Sequence, residues 1–205
     1  MSERKVILFG GTFDPIHLGH TGVAQEALEH IGARKVIFIP AKRSPLKTIL
    51  PKASDEDRLA MIGLAIAGTS HFGLSDCERR KPAPSYTLET VRYFQAEYGE
   101  GTSIYWLLGA DSIDDLVHWH RVTELIDECN LAVMHRAGCK KPDFARFEAL
   151  WGPDRAAKLR RNIVPTPLID ISSTQIREKL ATGEDVTAML HPAVADYIAK
   201  CHLYG

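Results

Sequence analysis

The sequence contains few cysteines and no long apolar segment. Its cysteines lie far apart with no Cys-x-x-Cys pair, at Cys77, Cys129, Cys139 and Cys201. That spacing argues against a zinc site and against a secreted disulfide framework. No uninterrupted apolar run is long enough to cross a bilayer, and the amino terminus leads directly into a strand pattern rather than a signal peptide. We therefore expect a cytoplasmic protein with reduced thiols and no membrane partner.

The sequence also lacks a large charge of either sign. The formal net charge is −1 over 205 residues, so the overall electrostatic field gives no reason to expect nucleic acid as a partner. The apolar fraction of 45% and the charged fraction of 25% are ordinary for a globular chain of this length. We expect a single domain over residues 1–205, with a helical portion from about residue 172 packed on it.

Two common nucleotide-binding motifs are absent, but another phosphate-binding pattern is present. No Gly-Lys-Ser/Thr follows the first glycine pair, and Gly-x-Gly-x-x-Gly does not occur. Instead, residues 10–20 read GGTFDPIHLGH, between an apolar run and an amphipathic helical pattern. Glycines let backbone N–H groups approach an anion, amides at a helix N-terminus attract negative charge, and imidazoles bind phosphate oxygens. The candidate phosphate-binding residues are Gly10, Gly11, Thr12, Phe13, His17 and His20.

The alternative interpretation of this stretch is a tight connection followed by solvated histidines. One histidine alone would favour that alternative. Two histidines in register with the glycines, the phenylalanine and the following helix favour a phosphate site.

A second polar cluster, ISSTQIR, lies at residues 171–177 after a late strand pattern. Hydroxyl groups at a helix start cap the backbone or donate to phosphate, and the amides there face the same anion. Arg177, one turn into that helix, is placed to put its guanidinium on a β- or γ-phosphate. An ordinary N-cap with a surface arginine is the alternative. Together with residues 10–20, which we call the histidine loop, the cluster predicts a triphosphate site. The cluster contributes Ser172, Ser173, Thr174 and Arg177 to that site.

Apolar strand patterns alternate with helical patterns along the chain. Strands are predicted at 5–9, 35–39, 72–75, 103–108, 131–134 and within 163–171. Helices are predicted at 23–31, 54–67, 85–98, 113–119, 122–129, 172–180 and 192–201, whereas the helical stretch 142–162, interrupted by Gly152-Pro153, has no clear place in the core. This alternation predicts an α/β protein with a doubly wound parallel sheet. Its ligands would bind where the loops after the strands converge.

Both motifs resemble those of the HIGH nucleotidyltransferase superfamily, namely Gly-x-Phe-x-x-x-His-x-Gly-His and Ile-Ser-Ser-Thr-x-x-Arg. Within it, the chain is most similar to the bacterial nicotinate-nucleotide adenylyltransferase family, because it also has Ser-Tyr-Thr at 85–87 and Gly-x-Asp-Ser at 109–112. The resemblance implies a Rossmann-like nucleotidyltransferase fold with Gly109 and Asp111 in the nucleotide site. It also implies a mononucleotide pocket with Ser85, Tyr86, Thr87 and Trp119, the last against the nicotinate base. Asp111 as a helix N-cap and Trp119 as a core residue are the alternatives.

The chain departs from the family pattern at two places. Leu46 stands where many members have a histidine near the mononucleotide phosphate, although Lys47 keeps a cation there. His120 stands where a tyrosine is frequent. These changes bear on base and phosphate recognition rather than on the type of reaction.

The resemblance implies transfer of the adenylyl group of ATP to nicotinate mononucleotide, giving deamido-NAD and pyrophosphate in NAD biosynthesis. In that reaction His17, His20 and Arg177 would hold the phosphates, and Mg2+ would be carried with ATP rather than by a protein metal site. Nicotinamide mononucleotide and phosphopantetheine are the alternative acceptors. A nucleotide-binding regulator without catalysis is the alternative of a different class. A monomer or a homodimer is expected.

Overall fold

Six parallel strands form one sheet in this protein. The computed structural model describes residues 4–42, 50–81, 84–109, 112–136, 142–166 and 171–205. The sheet order is β3-β2-β1-β4-β5-β6, and every neighbouring pair is parallel. This is the 3-2-1-4-5-6 order of doubly wound folds, whose switch point lies between the first and fourth strands. The predicted fold class is confirmed. The strands are β1 (Arg4–Gly11), β2 (Lys35–Pro40), β3 (Phe72–Leu74), β4 (Thr102–Gly109), β5 (Asn130–Arg136) and β6 (Ile163–Thr166).

Helices cover both faces of the sheet and build two apolar cores. On β1, Ile7 and Phe9 face one core while Val6 and Leu8 face the other. Burial on both faces explains why the strands read as near-continuous apolar runs rather than as alternating patterns. The helices are α1 (Leu18–Ile31), α2 (Asp55–Ile66), α3 (Thr87–Tyr98), a 3-10 helix (Asp114–His118), α4 (Val122–Glu128), α5 (Phe144–Trp151), α6 (Pro153–Arg161), α7 (Ser173–Thr182) and α8 (Pro192–Lys200).

The first helix begins five residues before the predicted start at Val23, because α1 starts at Leu18. Its first turn packs through Gly19 and Thr21, which are buried but not apolar. The Leu18 N–H donates to the Met189 carbonyl at 3.0 Å, which ties this turn to the segment before α8. The prediction placed the helix start too late because it relied on apolar periodicity.

The structure differs in detail from three other expectations about the secondary structure. The predicted helix at 113–119 is a short 3-10 helix, and only residues 163–166 of the predicted late strand form β6. The stretch 142–162 does have a place in the core, because Phe147 of α5 and Leu159 of α6 are buried in the second core. Gly152, with a φ of 86°, separates these two helices. None of the helices in the described ranges combines the length and apolar content needed to span a membrane.

Candidate active site

Two glycines at the end of β1 allow bulky rings to pack directly against the backbone. A Cβ added to Gly10 would lie 2.3 Å from Trp106, and a Cβ added to Gly11 would lie 2.8 Å from the Phe13 ring. Phe13 is buried and has a φ of 49°, so the chain turns sharply after the glycines. The glycines are thus required by close packing inside the protein, in addition to the anion approach that the sequence suggested.

The two histidines of the same loop stack on each other at the start of α1. Their ring centroids lie 3.7 Å apart with an interplanar angle of 28°. His17 is the N-cap of α1 and is only 5% exposed, so it is not a solvated loop residue. The His17 N–H donates to Nδ1 of His20 at 3.3 Å. In the neutral imidazole of His20 the proton therefore resides on Nε2, which leaves that nitrogen as a hydrogen-bond donor.

The second motif contacts the histidine loop directly. Nη1 of Arg177 donates to the Asp14 carbonyl at 2.7 Å, and Nη2 donates to the Thr174 hydroxyl at 3.1 Å. The Ser173 hydroxyl donates to the Pro15 carbonyl at 2.9 Å, and the Ser172 hydroxyl accepts from the Gln175 N–H at 3.2 Å. Two motifs that lie more than 150 positions apart thus form one structural unit.

This contact restricts what the serine hydroxyls can contribute. Either Ser172 or Ser173 was expected to cap this helix, and Ser172 is the N-cap of α7. Because the Ser172 oxygen accepts, its hydroxyl proton stays available to a ligand. The only hydroxyl proton of Ser173 is already donated to Pro15. In this arrangement Ser173 fixes the loop rather than donating to phosphate.

A cavity of about 500 Å³ opens at the carboxyl ends of β1 and β4. This is the switch point of the sheet, where doubly wound folds bind their ligands, and the volume is within the range of small-molecule sites. The predicted site residues that line the cavity are Gly10, Gly11, Thr12, Ser85, Tyr86, Thr87, Gly109 and Trp119.

The predicted site residues therefore form two neighbouring groups. Among the described residues that line the cavity, His17, His20 and Arg177 do not appear. The two histidines of the loop and Arg177, which contacts that loop, form the second group. Thr12 belongs to both the cavity wall and the histidine loop. Lys47 and Asp111, together with Leu46, lie outside the described residues.

Aromatic rings close one side of the cavity. Tyr86 stacks on His120 with ring centroids 4.3 Å apart and an interplanar angle of 29°. Trp119 lines the cavity and also packs against the second core, so its two interpretations are compatible. His118 and His120 flank this tryptophan and are exposed at the cavity rim.

Comparisons with known proteins agree with this geometry. The sequence pattern described as cytidylyltransferase-like matches residues 8–179. A protein of Rhodopirellula baltica named as a probable nicotinate-nucleotide adenylyltransferase is 34% identical over 203 residues, which cover 99% of this chain and 94% of the relative. A protein of Synechococcus with the same name is 37% identical, covering 98% of this chain and 95% of the relative.

This chain belongs to the nicotinate-nucleotide adenylyltransferase family. A solved structure with the same fold comes from Plasmodium falciparum and is described as nicotinic acid mononucleotide adenylyltransferase complexed with NaAD. It superposes with a TM-score of 0.75, covers 98% of this chain and 97% of its own, and is 20% identical in sequence. The resemblance stated for the sequence is confirmed at the level of family and fold.

Two charged residues at the candidate site could not be recognised among the motifs of the sequence. Arg58 of α2 is 1% exposed and donates to the Thr12 carbonyl at 2.7 Å and to Asp55 at 2.7 Å. Its spacing from Met61, Ile62 and Ala65 places it on the buried face of the helix, and that spacing was a usable signal.

Glu78 is the second missed residue, and it lies in the wall of the cavity. It is 4% exposed, and its Oε1 accepts from the Thr90 hydroxyl at 2.9 Å. Burial raises the pKa of Glu78, against the opposing effects of the Ser85 and Thr90 hydroxyls and of the Lys81 charge. No pattern in the polar run 76–81 distinguishes this carboxylate from its solvated neighbours.

The acidic side chain within the histidine loop, Asp14, is already engaged by three hydrogen-bond donors. Asp14 accepts from the N–H groups of Lys52 and Ala53 at 2.8 and 3.1 Å and from the Tyr204 hydroxyl at 2.7 Å. Within the described ranges, no three His, Cys, Asp or Glu side chains are grouped to hold a metal.

Proposed function

We propose that this protein transfers the adenylyl group of ATP to nicotinate mononucleotide, giving deamido-NAD and pyrophosphate in NAD biosynthesis. Family membership supports the reaction class. The observation that carries the proposal is the hydrogen bond of 2.7 Å from Arg177 to the Asp14 carbonyl. It holds a guanidinium against the loop whose imidazoles begin α1, so groups from both ends of the chain surround one anion-binding region.

In the proposed reaction, a phosphate oxygen of the mononucleotide attacks the α-phosphorus of ATP. A new P–O bond forms, the bond between the α-phosphorus and its bridging oxygen to the β-phosphorus breaks, and pyrophosphate leaves with the electron pair. The nucleophile is already anionic, so a strong general base is not required. Positioning and charge stabilisation then account for catalysis.

The proposed phosphate ligands are nitrogen groups that can donate to phosphate oxygens. Nε2 of His20 carries a proton, because Nδ1 accepts from the backbone, and we assign it with His17 to the α- and β-phosphates. Arg177 has N–H groups beyond the two that bind the protein, and its side chain is 22% exposed. We assign those groups to the β- and γ-phosphates and to the departing pyrophosphate.

The cavity is the proposed site of the nucleoside and mononucleotide portions. Trp119 provides a ring for stacking on the base, and Ser85, Tyr86 and Thr87 border the same space. Lys47 and Asp111 remain candidates by resemblance alone. Mg2+ would be bound by phosphate oxygens and water, and would neutralise part of the triphosphate charge.

The remaining expectations are proposals of the same kind. We infer a single domain, a monomer or homodimer, and a cytoplasmic protein without nucleic-acid or membrane partners. The free thiols of Cys77, Cys129 and Cys201 support a reducing compartment.

The acceptor is identified by incubating the protein with ATP, Mg2+ and one candidate acceptor at a time, followed by mass measurement of the product. Nicotinate mononucleotide, nicotinamide mononucleotide and phosphopantetheine are the candidates. Deamido-NAD formed with the highest kcat/KM supports the proposal. Preference for either other acceptor reassigns the substrate, and binding of ATP without any product indicates a regulator.

The role of the histidine loop is tested by His20→Ala. We expect kcat to fall by about 10²-fold or more, because a donor aimed at developing phosphate charge is lost, while thermal stability changes little. Pyrophosphate release gives the rate. Turnover close to that of the unaltered protein would remove His20 from the mechanism.

A further inference from the structure

The carboxyl-terminal segment reaches into the histidine loop. The Tyr204 hydroxyl donates to Oδ1 of Asp14 at 2.7 Å, across 190 positions of sequence. Leu203 and Tyr204 also pack against the first core, and the Leu203 N–H donates to the Ile198 carbonyl at 3.0 Å. The segment that follows α8 is thus folded back on the loop by both apolar and polar contacts.

The backbone of this segment is held in a conformation that L side chains seldom adopt. His202 and Tyr204 have φ values of 51° and 68°, in the left-handed region. Such a conformation persists only where surrounding contacts stabilise it. The contact with Asp14 is one of those stabilising contacts, and it points the tyrosine ring at the loop.

Asp14 is the residue through which this contact can influence the phosphate site. Its carboxylate is 4% exposed and binds Tyr204 together with the N–H groups that precede α2. Its carbonyl accepts from Arg177, and Nη1 of Arg177 also lies 3.9 Å from its Oδ2. A shift of Asp14 would therefore move Arg177 and the histidine loop together.

The hydroxyl of Tyr204 is well suited to remain a donor. Burial and the hydrogen bond to Asp14 raise the pKa of Tyr204 above its ordinary value. The Arg177 and Arg58 guanidinium groups, which face the same loop, act in the opposite direction. The Tyr204 hydroxyl thus keeps its proton through neutral pH.

We propose that Tyr204 is a positioning residue for adenylyl transfer: it fixes Asp14, and through Asp14 it sets the relative positions of the histidine loop and Arg177. The inference rests on the proposed function. Tyr204 touches no reacting atom in this scheme, so its removal should change ATP binding and turnover without changing the cavity that receives the mononucleotide.

The chain supplies a matched control for this inference. Tyr197 of α8 also donates its hydroxyl to a carboxylate, that of Asp57 on α2, at 2.9 Å. Both tyrosines join the carboxyl-terminal segment to an acidic partner, but only Tyr204 reaches the loop. Tyr204→Phe and Tyr197→Phe each delete one hydroxyl group and leave the ring in place.

The experiment compares the two variants in thermal stability, calorimetric ATP affinity without acceptor, and steady-state kinetics. For Tyr204→Phe we expect kcat to fall by about 10-fold or more, as displaced phosphate ligands reduce turnover, and the ATP Kd to rise several-fold. The KM for nicotinate mononucleotide should stay within about 2-fold. Tyr197→Phe should keep the unaltered kcat and ATP Kd, even if its Tm falls by the same amount.

Unchanged kcat and ATP Kd in Tyr204→Phe would overturn the inference, and so would equal losses in both variants. The binding measurement separates this failure from failure of the proposed function. If the unaltered protein makes no dinucleotide, the proposed function fails, while the ATP Kd of the two variants still decides whether Tyr204 positions the phosphate site.

Discussion

The substitution Gly10→Ala tests how tightly the start of the histidine loop packs against Trp106 of the sheet. The added Cβ would lie 2.3 Å from Cζ2 and 2.5 Å from Cη2 of Trp106, whereas carbon atoms are in optimal contact at about 3.5–4.0 Å. The indole ring must therefore move by roughly 1 Å or more to restore ordinary contact. Trp106 is 5% exposed and belongs to the second core, so its freedom to move is limited.

The expected loss of stability follows from this short distance between the added Cβ and the indole ring. Added methyl groups in close-packed interiors cost about 1–3 kcal/mol. In a chain of this size each kcal/mol lowers Tm by roughly 2–4 °C, so we expect a decrease of about 2–12 °C. Trp106 also lines the cavity, and a ring displaced in that direction would occupy substrate space. The KM for at least one substrate should then rise as well.

Gly109→Ala is the matched control, because Gly109 ends the neighbouring strand β4 at the same edge of the sheet. Among the residues that the structure describes, a Cβ at Gly109 would meet no atom within 4 Å. Its Tm should stay within about 2 °C of the unaltered protein. Thermal unfolding followed by circular dichroism compares the two alanine variants directly.

Repeating Gly10→Ala in a Trp106→Phe background tests the cause of the destabilisation. The smaller ring lacks the atoms that the new Cβ would meet. Gly10→Ala should therefore lower the free energy of unfolding by less in this background, which a double-mutant cycle records as a favourable coupling energy. Equal penalties in both backgrounds would refute the packing argument. So would a Gly10→Ala protein as stable as the unaltered one.

The remaining predictions concern the two charged residues beside the loop and cavity. Arg58→Met should lower stability by about 1–3 kcal/mol, because the hydrogen bond from the buried guanidinium to the half-buried Thr12 carbonyl is lost. Arg79→Met, which removes an exposed ion pair, should change stability by less than about 0.5 kcal/mol in urea unfolding. For Glu78, the pKa is raised in the folded state, so the folded protein binds the proton more tightly than the unfolded chain and stability falls as pH rises above the ordinary glutamate value of about 4.3. Glu78→Gln removes this loss, and its Tm advantage over the unaltered protein should grow from pH 4 to pH 8; an advantage that stays constant or shrinks with pH would contradict the assignment.

The sequence was sufficient to predict the sheet and the two motif loops. The strands are apolar because both of their faces are buried, and this apolar pattern can be recognised in the sequence alone. The helix predicted from residue 54 also begins there, because the Ser54 hydroxyl caps α2 by accepting from the Asp57 N–H at 3.0 Å. This local pattern needs no distant partner. The start of α1 was missed because its first turn is buried through a glycine and a threonine.

The supporting residues of the site were harder to predict, because their roles depend on distant partners. Glu78 is defined by burial against Thr90 and the cavity, and its local sequence is polar. Tyr204 depends on Asp14, at the other end of the chain. Arg58 did carry a signal in its helical spacing, but its charge conceals a buried position in a pattern search based on apolar residues.

The most direct test of the proposed phosphate site is a crystal structure with a non-hydrolysable ATP analogue and nicotinate mononucleotide bound together. We predict triphosphate oxygens within hydrogen-bond distance of His20 Nε2 and of the Arg177 guanidinium, with the pyridine ring against Trp119. A triphosphate bound elsewhere, out of reach of both the imidazoles and the guanidinium, would contradict this prediction.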